Sequence, residues 1–168
     1  SGDRQTRHGG ALLAASADGS RLEVVATGYR HGNGLGAGGD GWITTADNQG
    51  NWVPATRLDV IEAGEFNGYT PAYRGDGAPP GPGRPLCWIP HSVDNSSGGQ
   101  VWVEGKRWGL PEGRLLHLSY GRCVMFLVLD EKVGGVRQAG VVEFPLPPFQ
   151  SGAMRGRFRP QDGQLYVS

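Results

Sequence analysis

The sequence has no excess of charge of either sign, with 16 Lys and Arg against 16 Asp and Glu. That balance excludes a basic stripe built to follow nucleic acid. No apolar run approaches the ~18 residues needed for a membrane-crossing helix. The longest, Cys123 to Leu129, fits a buried strand. Helical periodicity between recognisable caps is also missing, so helices are not expected. Cysteine is scarce. Cys87 and Cys123 stand alone, in neither a CxxC nor a CxxCH pattern. A four-cysteine zinc site and covalent haem attachment within the chain are therefore excluded. Two unpaired interior thiols are preferred over one disulfide. The chain opens mid-pattern at Ser1-Gly2-Asp3, so the absence of a signal peptide says nothing of its compartment.

Glycine and proline are abundant: 30 Gly and 12 Pro make up a quarter of the 168 residues. They are spread between short apolar runs, the pattern of many strands joined by tight turns. Residues 11–28 read as a hairpin around Asp18-Gly19, and residues 33–46 as a second, small-residue strand pair. Leu58 to Ile61 continues that group. Residues 74–86 (RGDGAPPGPGRPL) read as a surface loop, because proline removes backbone donors and glycine costs entropy. Strands resume at Gln100–Val103, Leu115–Tyr120, Val124–Leu129 and Val141–Leu146, then Arg155–Phe158 and Leu165–Val167.

The expected fold class is all-β. GGDGWITTADN and PQDGQLYVS both set Asp-Gly before an aromatic or apolar strand. With grouping by four strands, that weak repeat favours a β-propeller over a sandwich. The expected divisions are a blade end at 11–28, a blade at 33–70, a long loop at 71–98, a blade at 99–146 and a blade start at 153–168. A closed propeller needs at least about four blades, so the expectation is an incomplete set.

Three polar clusters could carry chemistry. Arg30-His31-Gly32-Asn33 could bind a carboxylate or a sugar hydroxyl. Asp47-Asn48-Gln49-Gly50-Asn51-Trp52 offers oxygens suited to Ca²⁺ or sugar hydroxyls, with Trp52 as a stacking face. An Asx-rich turn reads equally from those residues. His91 to Gly99 joins an imidazole to Asp94, Asn95 and hydroxyls, so His91 could be a general base paired with Asp94. No GxSxG elbow accompanies it, and a hydrogen-bonded loop is the alternative. Arg155 and Arg157 alternate on one strand and could clamp an anion. His117, inside an apolar run, reads as a satisfied core residue.

VVATGYRHGNGLGAGGDGWITTADNQG, FNGYTP and MRGRFRPQDGQLYVS, in that order, resemble blade motifs of the quinoprotein glucose/sorbosone dehydrogenase family. DNQGNWVPATRL, HSVDNSSGGQVWV and GRLLHLSYGRC resemble its large secreted planctomycete-type subgroup. The resemblance runs from about residue 10 onward. It implies a six-bladed propeller that holds pyrroloquinoline quinone (PQQ) and Ca²⁺ and oxidises a sugar or alcohol, with a cytochrome c as candidate electron acceptor. It implies a periplasmic or secreted setting. By position, it puts Arg30, Gln49 and Arg155 on the cofactor side and Gly50 beside the metal. The polar clusters add His31 and Arg157 as cofactor-side candidates, Asp47 as a metal candidate, and Asn48, Trp52, Asp94 and Asn95 as substrate candidates. The family's general base is expected on a blade before residue 1. Thr56-Arg57 departs from the pattern, since an acidic pair is usual there. A non-catalytic propeller that binds carbohydrate or a protein partner is the other reading. A metal-dependent, lactonase-like hydrolase using Asp47, Asn48, Asp94 and Asn95 is a third.

Overall fold

Short apolar stretches bounded by turn residues pair with their sequence neighbours throughout the chain, as period-2 patterning and local turns dictate. The computed structural model describes residues 6–38, 41–48, 53–145 and 147–168. Strands β1 (Ala11–Ala15) and β2 (Leu22–Thr27) form a two-stranded sheet. β3 (Gly32–Ala37), β4 (Ile43–Asp47), β5 (Ala55–Val60) and β6 (Cys87–Pro90) form a four-stranded sheet in chain order. β7 (Ser97–Trp102), β8 (Leu115–Ser119), β9 (Val124–Val133) and β10 (Val136–Glu143) form a second four-stranded sheet. β11 (Gly156–Arg159) and β12 (Gln164–Val167) close the order as a pair. All these pairings are antiparallel.

The segment expected as one long loop, 71–98, contains β6 and the start of β7. β6 is four residues long and ends in Pro90, so it carries almost no strand signal in sequence. Proline is tolerated there because β6 lies at the sheet edge. The last strand of the second sheet begins at Val136, ahead of the expected Val141. Gly134 and Gly135 hold φ of 56° and 85°, a tight turn that lets β9 run on to Val133.

The core lies between sheets. β8 shows why: Leu115, His117 and Ser119 share one face, Leu116 and Leu118 the other. Leu115 packs with Ala46, Leu58, Leu86 and Ile89 at the seam with the first four-stranded sheet. Leu116 and Leu118 pack with Met125, Ala153 and Phe158 at the seam with β11–β12. The long excursion from β5 to β6 is anchored from below by Arg57. Its guanidinium meets both Asp59 oxygens at 2.8 Å and donates to Asn67 Oδ1 at 2.9 Å and the Gly83 carbonyl at 2.8 Å. Asn67 in turn donates its side-chain amide to the Thr27 carbonyl, tying the excursion to β2. Both cysteines are unpaired and partly buried.

Candidate functional site

The inner strands β3 and β7 meet almost backbone to backbone. A Cβ on Gly34 would lie 2.5 Å from the Gly99 Cα, and one on Gly36 would lie 2.9 Å from the Gln100 carbonyl. Only glycine allows that approach. Both strands carry a register irregularity at this point, between Asn33 and Gly36 and between Ser97 and Gln100. Such bulges re-aim side chains. The polar residues at this end gather as a result.

Two adjoining cavities of about 620 and 410 Å³ share Arg30, His31, Gly32 and Asn33 as lining. Arg155 reaches into the first, and Asn48 and Ser96 line the second. A third cavity of about 570 Å³ holds Arg155 with Arg157, Gln100 and Tyr166. Arg155 thus joins the first and third, donating to Asn33 Oδ1 at 3.0 Å. Asn48 Oδ1 is buried there with no hydrogen-bond partner among the described residues. A buried acceptor left in that state favours a donor from a ligand.

Asp47 is buried, and its two oxygens accept the backbone N–H groups of Arg30 and His31 at 2.8 and 2.7 Å. Burial pushes its carboxyl pKa up, against the pull of those two N–H groups. The carboxylate is therefore turned to the backbone and shapes the Arg30–His31 turn. Among the described residues, no three His, Cys, Asp or Glu side chains converge as a cation site. Asp47, the described candidate beside the metal, has both oxygens taken by backbone N–H groups, whereas Ca²⁺ asks for several oxygens at once. Gln49, Gly50 and Trp52 lie outside the described residues. Guanidinium groups from Arg30, Arg155 and Arg157 do fit a ligand carrying carboxylates.

The expected pairing of His91 with Asp94 does not form. Asp94 is fully buried and bonds to His117 Nε2 at 2.7 Å, Ser119 Oγ at 2.7 Å and Ser97 Oγ at 3.1 Å. The reason is strand alternation: His117 and Ser119 face the seam beneath Asp94. Gln100 Nε2 lies 3.3 Å from His117 Nδ1, so the ring accepts there and donates through Nε2 to Asp94. Thr56 Oγ1 completes the cluster, donating to the Asp94 carbonyl at 3.0 Å. Burial raises the Asp94 pKa, but His117, Ser119 and Ser97 outweigh it and hold the carboxyl below its ordinary 3.8. Asp94 is thus a seam pin and has no access to substrate. His91 Nε2 is buried with no partner among the described residues, and Asn95 is exposed against Gly121. Neither lines the cavities described above.

No family model and no curated protein matches the chain. Solved structures do. A glucose dehydrogenase-type oxidoreductase from Thermus thermophilus matches at TM-score 0.62 and 21% identity, over 90% of this chain and 42% of that one. The PQQ-bound aldose sugar dehydrogenase of Streptomyces coelicolor matches at 0.63 and 16%, over 88% and 42%. A further glucose dehydrogenase matches at 0.68 and 19%, over 94% and 51%. The chain spans about half the length of these structures or less. The fold is that of an incomplete β-propeller.

Two propeller blades are complete, β3–β6 and β7–β10, flanked by two-stranded pieces. β3, β7 and β11 are the inner strands, and the Arg30–Asn33, Asn48, Ser96 and Arg155 group sits at one rim. The sequence candidates Arg30, His31, Asn48, Arg155 and Arg157 line these cavities, and His117 is a satisfied core residue as its apolar run suggested. Its pairing with Asp94, and the contacts of Asn33 and Ser97, were not read from the sequence. The signal was present: LLHLS places its only polar residues, His117 and Ser119, on alternate positions of an otherwise apolar strand.

Proposed function

We propose that this propeller is part of a quinoprotein sugar dehydrogenase-like protein, and that its rim holds an anionic cofactor beside a sugar or alcohol. The convergence of Arg30, His31, Arg155 and Arg157 along adjoining rim cavities carries this reading. Arg30 and Arg155 bind cofactor carboxylates, for which a guanidinium fork is well matched. Asn48 Oδ1 accepts a substrate hydroxyl and so orients it. PQQ, when bound, supplies the hydride acceptor. The base that takes the hydroxyl proton comes from a part of the protein other than the residues described, and His91 is not assigned that task. A soluble electron acceptor such as a cytochrome c, and a periplasmic or secreted setting, complete the proposal. No helix among the described residues is long and apolar enough to cross a membrane. The binding of Asp47 to backbone N–H groups, which withdraws it from a metal, favours a second reading, a non-catalytic propeller that binds carbohydrate at the same rim.

The test is titration of PQQ into the full-length protein, with and without Ca²⁺, followed by calorimetry and the cofactor spectrum. Saturable binding, weakened in Arg30→Ala and Arg155→Ala, is expected. Absence of binding under both conditions sinks the dehydrogenase reading and leaves glycan-array binding as the measure of the second.

A further inference from the structure

Arg155 is exposed, and a side chain of its length samples many rotamers unless something holds it. Here its Nη2 donates to Asn33 Oδ1 at 3.0 Å and its Nη1 to the Met154 carbonyl at 2.8 Å. The other end of the Asn33 amide, Nδ2, donates to the Ser97 carbonyl. Ser97 Oγ then donates to Asp94, which His117 and Ser119 hold from beneath. Hydrogen bonds therefore link the buried pin of the blade seam to a rim cation, passing through Ser97 from its hydroxyl to its backbone carbonyl. The amide can act in one orientation only: reversed, its nitrogen would face the guanidinium and its oxygen the Ser97 carbonyl. The two bulges put Asn33 in reach, and the bare backbones of Gly34 and Gly99 keep the inner strands close enough.

We infer that Asn33 is a positioning residue, which fixes the Arg155 guanidinium for an anionic ligand by tethering it through Ser97 to the buried Asp94–His117 pair. The inference rests on the rim being an anion-holding site, as read above. Asn33 need not touch the ligand. It removes rotamer freedom that binding would otherwise have to freeze, which is how preorganisation strengthens affinity.

The experiment uses the full-length protein with PQQ as the probe and has two arms. In the first, nitrogen NMR of the arginine side chains in the cofactor-free protein reports how restrained the Arg155 guanidinium is. A restrained signal in the wild type that becomes mobile in Asn33→Ala supports the tether. Equal mobility in both overturns it. This arm decides even if the wild type binds no PQQ, in which case the cofactor reading falls separately. In the second, calorimetry follows PQQ through a double-mutant cycle. Asn33→Ala alone weakens binding about tenfold, the size of one hydrogen bond to a charged group. In the Arg155→Ala background the same change has less than about a twofold effect. Additive losses overturn the inference, because a purely structural Asn33 would not depend on Arg155. Asn33→Ser serves in the same cycle if the alanine variant does not fold.

Discussion

Replacing Asp94 tests the pin between the two complete blades. Its carboxylate takes three donors, from His117, Ser119 and Ser97, in a site with no solvent exposure. In Asp94→Ala the His117 and Ser119 donors are left buried without an acceptor, at about 1–3 kcal/mol apiece, and Ser97 Oγ keeps only Thr56 Oγ1 at 3.4 Å. Rearrangement within the seam recovers part of that, so a loss of about 3–5 kcal/mol is expected. This is a large fraction of the roughly 5–15 kcal/mol that keeps a domain folded. Asp94→Asn keeps the shape and one acceptor oxygen but turns an NH₂ group toward the donors, so a smaller loss of about 1–3 kcal/mol is expected. Urea unfolding reads both as a fall in midpoint at unchanged slope. The acid limb gives an independent check. Because the folded-state carboxyl of Asp94 lies below its ordinary 3.8, its stabilising contribution is present above that value and is lost as the pH falls through the folded pKa. Asp94→Asn should flatten that limb. A loss below about 1 kcal/mol in Asp94→Ala would show that the seam is held by its apolar contacts alone, and would refute the reasoning.

Gly34→Ala should cost about 2–4 kcal/mol from left-handed backbone plus collision with Gly99. Gly19→Ala, at a similar φ of 72° but in open space, should cost only the backbone part, about 1–2 kcal/mol. Equal midpoints for the two would remove the argument for close inner strands. Arg57→Lys keeps a cation beside Asp59 but cannot also reach Asn67 and Gly83. Limited proteolysis should then cut faster within residues 61–86, and unchanged protection would count against the anchor. Asp59 has its pKa pushed up to about 6 by burial, against the pull of Arg57. Its folded form therefore holds a proton more tightly than the unfolded chain, and it destabilises the fold increasingly as the pH rises from about 4 to 6. The urea midpoint should climb by an amount worth up to about 3 kcal/mol as the pH falls from 7 toward 4, before Asp94 reverses the trend. A flat profile over that range would contradict it. Exposed Leu129, Val133, Val136 and Val142 on β9 and β10, with Leu22 and Val24 on β2, should make the 168-residue chain associate. A monomer in sedimentation velocity that also unfolds cooperatively would refute that.

The all-β class and most strand pairs were legible because each hairpin is local. Asp18-Gly19 and Gly134-Gly135 announce their turns, and β8 and β9 are apolar enough to be read as buried. β6 was hidden because an edge strand needs only one ladder and so tolerates Pro90. At the rim, Arg30, His31, Asn48 and Arg155 stood out because cations and amides beside glycine are conspicuous in sequence. The partner of Asp94 did not. His91 lies close to Asp94 along the chain and His117 a whole strand further on, and that proximity misled. Contact between those residues depends on which face of β8 meets the neighbouring blade. Patterning fixes that for β8 itself, but only the packing of two sheets determines what lies opposite.

Thr56 and Arg57 have structural tasks that bear on the rim. Thr56 holds the Asp94 backbone, and Arg57 anchors the 61–86 excursion through a side chain only 2% exposed. Neither presents charge to the rim cavities. Asp47 is turned to backbone N–H groups and Asp94 is pinned in the seam, so both candidate carboxylates are held away from these cavities. The charged and amide groups at the cavity walls are chiefly guanidinium, imidazole and amide, with Glu104 lining the third cavity. Such a lining attracts anions and offers little to a lone divalent cation. If the proposed cofactor binds here, its carboxylates would meet guanidinium groups first, and the described side chains would add little to any calcium dependence. PQQ titration with and without Ca²⁺ checks this, and binding that strictly requires Ca²⁺ would contradict it.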